Sequence, residues 1–203
     1  IGFGRDNKNK KARSSGWGYL YGDEGSAFWL GKQMISFFTK EADGRIDKTP
    51  LYKIIRDYFE IDNDFEILDI LYKEYRMDRK KIASLAKILY KAVQQDDEIA
   101  IDLYKKAAYE HALTVKAIIN KLNFEKDDKI RVSYSGGVFK AGEYILKPFE
   151  KQLESSNRNI RLIKPILKPV TGAALYAKLL YEDNMYYNES ILDKLIKYEK
   201  EEN

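Results

Sequence analysis

The hydrophobic pattern of this chain changes period once, and that change restricts the folds open to it. Across residues 49–122 apolar side chains recur at helical spacing, in segments at 49–59, 64–75, 78–94 and 97–122. In the last of these Leu103, Ala107, Val115, Ile118 and Leu122 fall on one side. From Lys129 onward the pattern alternates. "KIRVSYSGGVF" is extended, "AGEYILKPFEKQLES" helical, "NIRLIKPIL" extended and "VTGAALYAKLLYE" helical again. Strand, helix, strand, helix with crossover connections is an α/β layer. The spacing therefore predicts an α/β fold carrying a helical block at about 49–122, closed by an amphipathic helix, "NESILDKLIKYEK", behind Asn188 as its cap.

The beginning of the chain is different again. "IGFGRDNKNKKARSS" predicts two short strands around an Asn- and Lys-rich reversal, and the Lys8, Lys10, Lys11 and Arg13 run reads as a charged hairpin tip. Phe28, Leu30, Met34, Ile35 and Phe38 then recur at helical spacing as far as Gly44. The start at Ile1, inside a strand and without Met, leads us to expect residues upstream.

Composition removes several classes of function. The 203 residues contain 36 Lys and Arg against 32 Asp and Glu, a net charge of +4 with both signs interspersed. That is a solvated surface and no nucleic-acid footprint. The chain has no cysteine, which excludes disulfides, Cys-bound zinc and thiolate-ligated clusters and points to a reducing cytoplasm. No apolar run approaches the roughly 18 to 20 residues of a membrane span, so neither a membrane nor a nucleic acid is expected as partner.

Two stretches could carry chemistry. In "GWGYLYGDEGS", Gly16 and Gly18 flank Trp17 and free the backbone beside its ring. A bare aromatic face next to a carboxylate suits a sugar, because the ring covers the apolar C–H face while the carboxylate accepts hydrogen bonds from hydroxyls. Asp23 is the candidate acceptor; it is equally placed to cap a helix starting at Glu24, and the two roles can coexist. Trp29, one turn into that helix, is expected in the core. In "SYSGGVF", Gly136 and Gly137 end a strand where α/β sheets bind ligands, although a tight turn alone would also account for them. His111, the sole histidine, is expected to be packed. No Ser-His-Asp arrangement and no HExxH spacing is present, so no catalytic residue and no metal ligand is assigned within the chain.

Taken in order, "GWGYLYGDEGSAFWLGKQ", "SGGVFKAGEYILKPFEKQL" and "KPVTGAALYAKLL" resemble the C-terminal half of the N-acetylglucosamine kinase family, grouped with the BadF/BadG/BcrA/BcrD ATPases in the actin, hexokinase and Hsp70 superfamily. The resemblance implies a ribonuclease H-like, actin/hexokinase-type lobe with a large helical insertion, one lobe of a two-lobed kinase. It implies a nucleotide- and sugar-binding lobe at 1–182, and a C-terminal helix at 183–203 that packs back on the N-terminal lobe of the same protein. It implies that Gly16, Trp17, Gly18 and Asp23 line an amino-sugar pocket, that Gly136, Gly137 and Val138 lie under the adenosine of ATP, and that Ala83 packs on the adenine. The activity implied is phosphoryl transfer from ATP-Mg2+ to a hydroxyl of N-acetylglucosamine or N-acetylmuramic acid, and a homodimer is compatible with such a protein.

Where the chain departs from the family pattern, more follows. The first-lobe phosphate loop, the Gly-Thr-Gly-Ser loop and the catalytic Asp have no counterpart here; "IGFGR" resembles the strand just after the second loop. The 203 residues are therefore expected to be a fragment, inactive alone. The lack of cysteine also separates the chain from the iron-sulfur activators of the same grouping. An activator or regulatory ATPase working on a partner protein, and a lobe serving only as an interaction module, are the other readings.

Overall fold

The structure is a computed structural model that describes residues 1–76, 78–182 and 188–201. Its opening is the expected hairpin: β1 (Gly2–Arg5) pairs antiparallel with β2 (Lys11–Ser14), Gly2 opposite Ser14 and Arg5 opposite Lys11. Asp6 closes the turn, its Oδ1 accepting the N–H groups of Lys8 and Lys10 at 2.9 Å each. Its Oδ2 accepts the Asn123 N–H at 3.1 Å and so fastens the hairpin to the end of a distant helix.

That helix is the longest element, spanning Glu98–Lys121. The hairpin lies flat upon it. A Cβ at Gly2 or Gly4 would sit 2.6 or 2.4 Å from the Ile118 side chain, so a larger residue at either position would have to push Ile118 aside. Ala12, Ile118 and Leu122 form the buried cluster beneath, with Phe124 against it.

Between the hairpin and the second pair of strands the regular elements among the described residues are helices. α1 (Ala27–Ala42) buries Leu30, Met34 and Phe38. α2 (Pro50–Phe59) ends at Glu60 in the left-handed conformation, φ 52°. α3 (Glu66–Asp69) runs into a π-helical turn, Ile70–Glu74. α4 (Arg79–Ser84) and α5 (Ala86–Val93) precede the long helix, which is α6. The continuous helix expected at 78–94 is thus two helices. Leu85 breaks it, its N–H reaching back three residues to the Ile82 carbonyl at 3.1 Å.

Two buried carboxylates tie this block together. Asp97 caps α6 through the Ala100 N–H at 2.8 Å, and its other oxygen accepts the Leu51 N–H in the first turn of α2 at 2.7 Å. Glu41, at the end of α1, accepts the Thr49 N–H at 2.7 Å and the Thr49 hydroxyl at 2.8 Å. Free amides at the start of α2 are satisfied by side chains from two other helices.

The alternating region follows. β3 (Ile130–Val132) and β4 (Ile160–Leu162) form a second two-stranded sheet. The Ile130 N–H donates to the Asn159 carbonyl at 2.9 Å and the Ile163 N–H to the Val132 carbonyl at 2.8 Å. Both partners advance together along the chain, so the strands are parallel. The crossover is a 3-10 turn, Gly137–Ala141, followed by α7 (Glu143–Glu154), which buries Ile145, Phe149 and Leu153. α8 (Pro169–Tyr181) and α9 (Glu189–Glu201) complete the chain. The Asn188 side chain accepts the Ser190 N–H at 2.9 Å, the cap expected there.

The chain divides into two compact units, one of residues 1–130 and 136–161, the other of residues 131–135 and 162–203. In the second, the Lys168 N–H donates to Glu199 Oε1 at 2.8 Å, joining the start of α8 to α9. The boundary expected at residue 183 lies outside the described residues. Among those described, no helix is long and apolar enough to cross a membrane.

Candidate substrate and nucleotide site

The glycine-rich stretch forms a tight turn between β2 and α1. Gly16 and Gly18 have φ of +78° and +89°, where residues with a Cβ are strained. The Arg13 guanidinium donates to the Gly16 carbonyl at 2.9 Å and holds the base of the turn. At its far side a Cβ on Gly22 would lie 3.2 Å from the Gly18 carbonyl and 3.3 Å from the Trp17 Cβ, so the turn folds onto itself. Trp17 is left 80% exposed. Tyr19, Tyr21, Phe28, Trp29 and Lys32 line an adjoining cleft of about 250 Å³. Trp29, expected in the core, is half-buried along this cleft.

Asp23 does not cap the helix. The cap is Ser26, whose Oγ accepts the Trp29 N–H at 3.1 Å, and α1 begins at Ala27 where Glu24 was expected to open it. Asp23 instead takes φ +60° and turns the chain, its carbonyl accepting the Ser26 N–H at 3.0 Å. With the helix amides supplied by Ser26, the carboxylate is free for another partner. It takes the Arg79 guanidinium, Nη2 to Oδ2 at 2.6 Å, from the first residue of α4. Nothing in the local sequence signals a partner 56 residues away.

Gly136 and Gly137 lie exposed at the start of the 3-10 turn. Gly136 has φ +128° and ψ 163°, a region essentially confined to glycine. No heavy atom comes within 4 Å of where a Cβ on either glycine would stand, which leaves backbone open to a ligand. Val138 is buried, its side chain turned to the protein interior. Ala83 is half-buried near the end of α4, four residues after Arg79 and thus on the same side of that helix.

His111 connects the two motifs. Its ring packs against Phe139 of the 3-10 turn, centroids 5.1 Å apart, and against Phe149 of α7 at 6.1 Å. On its other side is Gly25 of the first motif, where a Cβ would lie 3.1 Å from His111 Nε2 and 2.9 Å from the Ala107 carbonyl. Burial holds the imidazole below its ordinary pKa, the nearby Gly25 backbone opposing the fall, and Nε2 is buried without a hydrogen-bond partner. Among the described residues no group of His, Asp or Glu side chains is arranged to hold a metal ion.

The model of the BadF/BadG/BcrA/BcrD ATPase family matches residues 1–177. The chain is 30% identical over 178 residues to an N-acetylmuramic acid/N-acetylglucosamine kinase of Clostridium acetobutylicum, covering 88% of this chain and 58% of that protein. It is 25% identical over 177 residues to an N-acetyl-D-glucosamine kinase of Dictyostelium discoideum, covering 87% of this chain and 55% of that protein. The chain thus spans a little more than half the length of these relatives. A crystal structure of a Chromobacterium violaceum protein assigned as an N-acetylglucosamine kinase superposes with a TM-score of 0.59 at 22% identity, over 80% of this chain and 50% of that one. At that identity the likeness speaks to fold.

Proposed function

The chain belongs to the BadF/BadG/BcrA/BcrD ATPase family, and from that premise we propose that it is the nucleotide- and sugar-facing lobe of a cytoplasmic, ATP-dependent amino-sugar kinase. The relatives named above act on N-acetylglucosamine and N-acetylmuramic acid, and those sugars are the substrates proposed here. The observation that carries the reading is the turn at 16–24, which pairs an exposed indole with a fixed carboxylate. Trp17 covers the apolar face of the sugar ring, Gly16 and Gly18 let it approach the backbone, and Asp23 accepts a hydroxyl hydrogen bond.

ATP supplies the phosphoryl group. Gly136 and Gly137 give its adenosine access to the backbone, Val138 supports the turn from within, and Ala83 packs on the adenine. Mg2+ would arrive on the phosphates, retaining water ligands and needing few carboxylates from this chain. The lobe holds both substrates in place; positioning and charge stabilisation on closure drive the transfer. The base for the sugar hydroxyl belongs to the N-terminal lobe, as does the surface on which residues 183–203 would pack. In this reading the lobe is ribonuclease H-like and α2–α6 are its helical insertion.

The test is ADP release from ATP-Mg2+ by the intact protein with N-acetylglucosamine, N-acetylmuramic acid, glucosamine or glucose. Release that depends on an amino sugar is the expected result. Hydrolysis indifferent to every sugar would overturn the kinase reading in favour of an activator ATPase with a protein partner.

A further inference from the structure

We propose that Arg79 is a positioning residue for the sugar: it fixes the Asp23 carboxylate by occupying Oδ2, so that Oδ1 faces the substrate hydroxyl. The inference rests on the reading of Asp23 as a sugar ligand and adds a residue from the helical block to that site.

Both ends of the pair are held by structure outside it. Asp23 sits at φ +60° in the turn that Ser26 closes onto α1, and its side chain is only 14% exposed. Arg79 opens α4, where Asp78 accepts the Lys81 N–H at 2.9 Å and fixes the first turn. α4 in turn lies on α1 at the closest possible range. A Cβ on Gly31 would stand 2.2 Å from the Ile82 carbonyl oxygen, so backbone meets backbone there. The guanidinium is also 6.0 Å from the Tyr19 ring, which packs edge-on against Phe28 at 5.2 Å. Arg79 is therefore delivered to Asp23 by the packing of two helices, unlike the exposed i,i+4 pairs elsewhere on the surface.

Stability is a poor explanation for this pair. Arg79 is 57% exposed, and ion pairs with so wet a partner contribute little to folding. Orientation is the better one. An Asp side chain rotates freely between staggered positions unless something holds it, and a charged 2.6 Å bond to a planar guanidinium selects one of them. Lys at this position would keep the charge and lose the fork that defines direction.

The experiment compares the intact protein with Arg79→Ala, Arg79→Lys and Asp23→Ala, reading KM for N-acetylglucosamine, KM for ATP, kcat and Tm. Arg79→Ala should raise the sugar KM by about tenfold or more while KM for ATP and Tm stay near wild type, with partial rescue in Arg79→Lys. The double substitution should be no worse for sugar than Asp23→Ala alone, since Arg79 acts only through Asp23. A wild-type sugar KM in Arg79→Ala, with Asp23→Ala defective, would overturn the positioning role and leave the pocket standing. A parallel loss of sugar KM, ATP KM and Tm would make Arg79 merely structural. Wild-type sugar affinity in Asp23→Ala would overturn the pocket reading, and the positioning role with it.

Discussion

His111 and Phe139 pack with ring centroids 5.1 Å apart, and the far edge of the imidazole meets Gly25. A side chain of α6 is thus wedged between the glycine-rich turn before α1 and the 3-10 turn after β3. Burial lowers the His111 pKa from its ordinary 6.5, so the folded protein resists a proton that the unfolded chain accepts. Stability should fall as the pH drops below about 6.5, with a slope of at most about 1.4 kcal/mol per pH unit, levelling off at the folded pKa. His111→Phe keeps an aromatic ring for Phe139 and Phe149 and removes the proton. Its Tm should decline less than wild type between pH 7 and pH 5; parallel curves would show that His111 is not protonated on unfolding.

Trp17 gives the most direct test of the proposed sugar face. The ring is 80% exposed, so Trp17→Ala should change stability by no more than about 0.5 kcal/mol. Loss of the stacked ring should weaken N-acetylglucosamine binding by roughly five- to tenfold, the equivalent of about 1 to 1.4 kcal/mol. Calorimetric titration of the intact variant checks this. Unchanged affinity would remove Trp17 from the pocket.

The two glycines after β3 should behave differently from each other. Gly137 has open space where a Cβ would stand and an ordinary φ, so Gly137→Val should fold and yet weaken ATP by about tenfold, because the added branch occupies the ligand's space. Gly136 is at φ +128°, and Gly136→Ala should cost about 1 to 3 kcal/mol of stability from backbone strain. Nucleotide titration and thermal melts of the two variants separate these effects. Equal ATP affinity in Gly137→Val and wild type would remove the loop from the nucleotide site.

Much of this architecture was legible in the sequence because it rests on local periodicity and capping. The Asn-rich reversal gave the hairpin, the helical spacing gave α1, α2 and α6, and the return of alternation after Lys129 gave the strand-helix-strand unit. What was not legible depends on contacts between distant residues. Asp23 and Ser26 are both good caps, and only the backbone path, left-handed at Asp23, decides for Ser26. The break at Leu85 interrupts an unbroken apolar pattern, and the π-helical turn at Ile70–Glu74 leaves no compositional trace. Arg79 belongs to no motif in the sequence. Its meaning comes from the 2.6 Å bond to Asp23, which no spacing rule predicts.

Glu41 provides a second pH test, of opposite sign. Burial raises its pKa above the ordinary 4.5, with the Thr49 hydrogen bonds opposing and the nearby Asp97 adding to the rise. A group raised in this way favours folding below pH 4.5 and loses that contribution as the pH climbs through its folded value. Glu41→Gln retains an oxygen for Thr49 and does not ionise. Relative to wild type, its Tm should be higher at pH 7 than at pH 4; a constant difference would mean that Glu41 does not titrate abnormally.

Gly31 joins the fold to the site. Helix propensity alone would favour Ala there by roughly 0.5 to 1 kcal/mol. The added Cβ, however, would lie 2.2 Å from the Ile82 carbonyl oxygen, and backbone cannot yield as a side-chain tip can. Overpacking of this kind costs about 1 to 3 kcal/mol, which outweighs the propensity gain, so Gly31→Ala should be destabilised by up to about 2.5 kcal/mol and melt roughly 2 to 4 °C lower per kcal/mol. The effect should reach the substrate as well. Moving α4 away from α1 carries Arg79 away from Asp23, and the sugar KM should rise in Gly31→Ala although Gly31 touches neither charged group. Adding Arg79→Ala to Gly31→Ala should then raise the sugar KM less than Arg79→Ala does in the wild-type background, since the positioning contact is already weakened. Independent, multiplicative effects would separate helix packing from the orientation of Asp23.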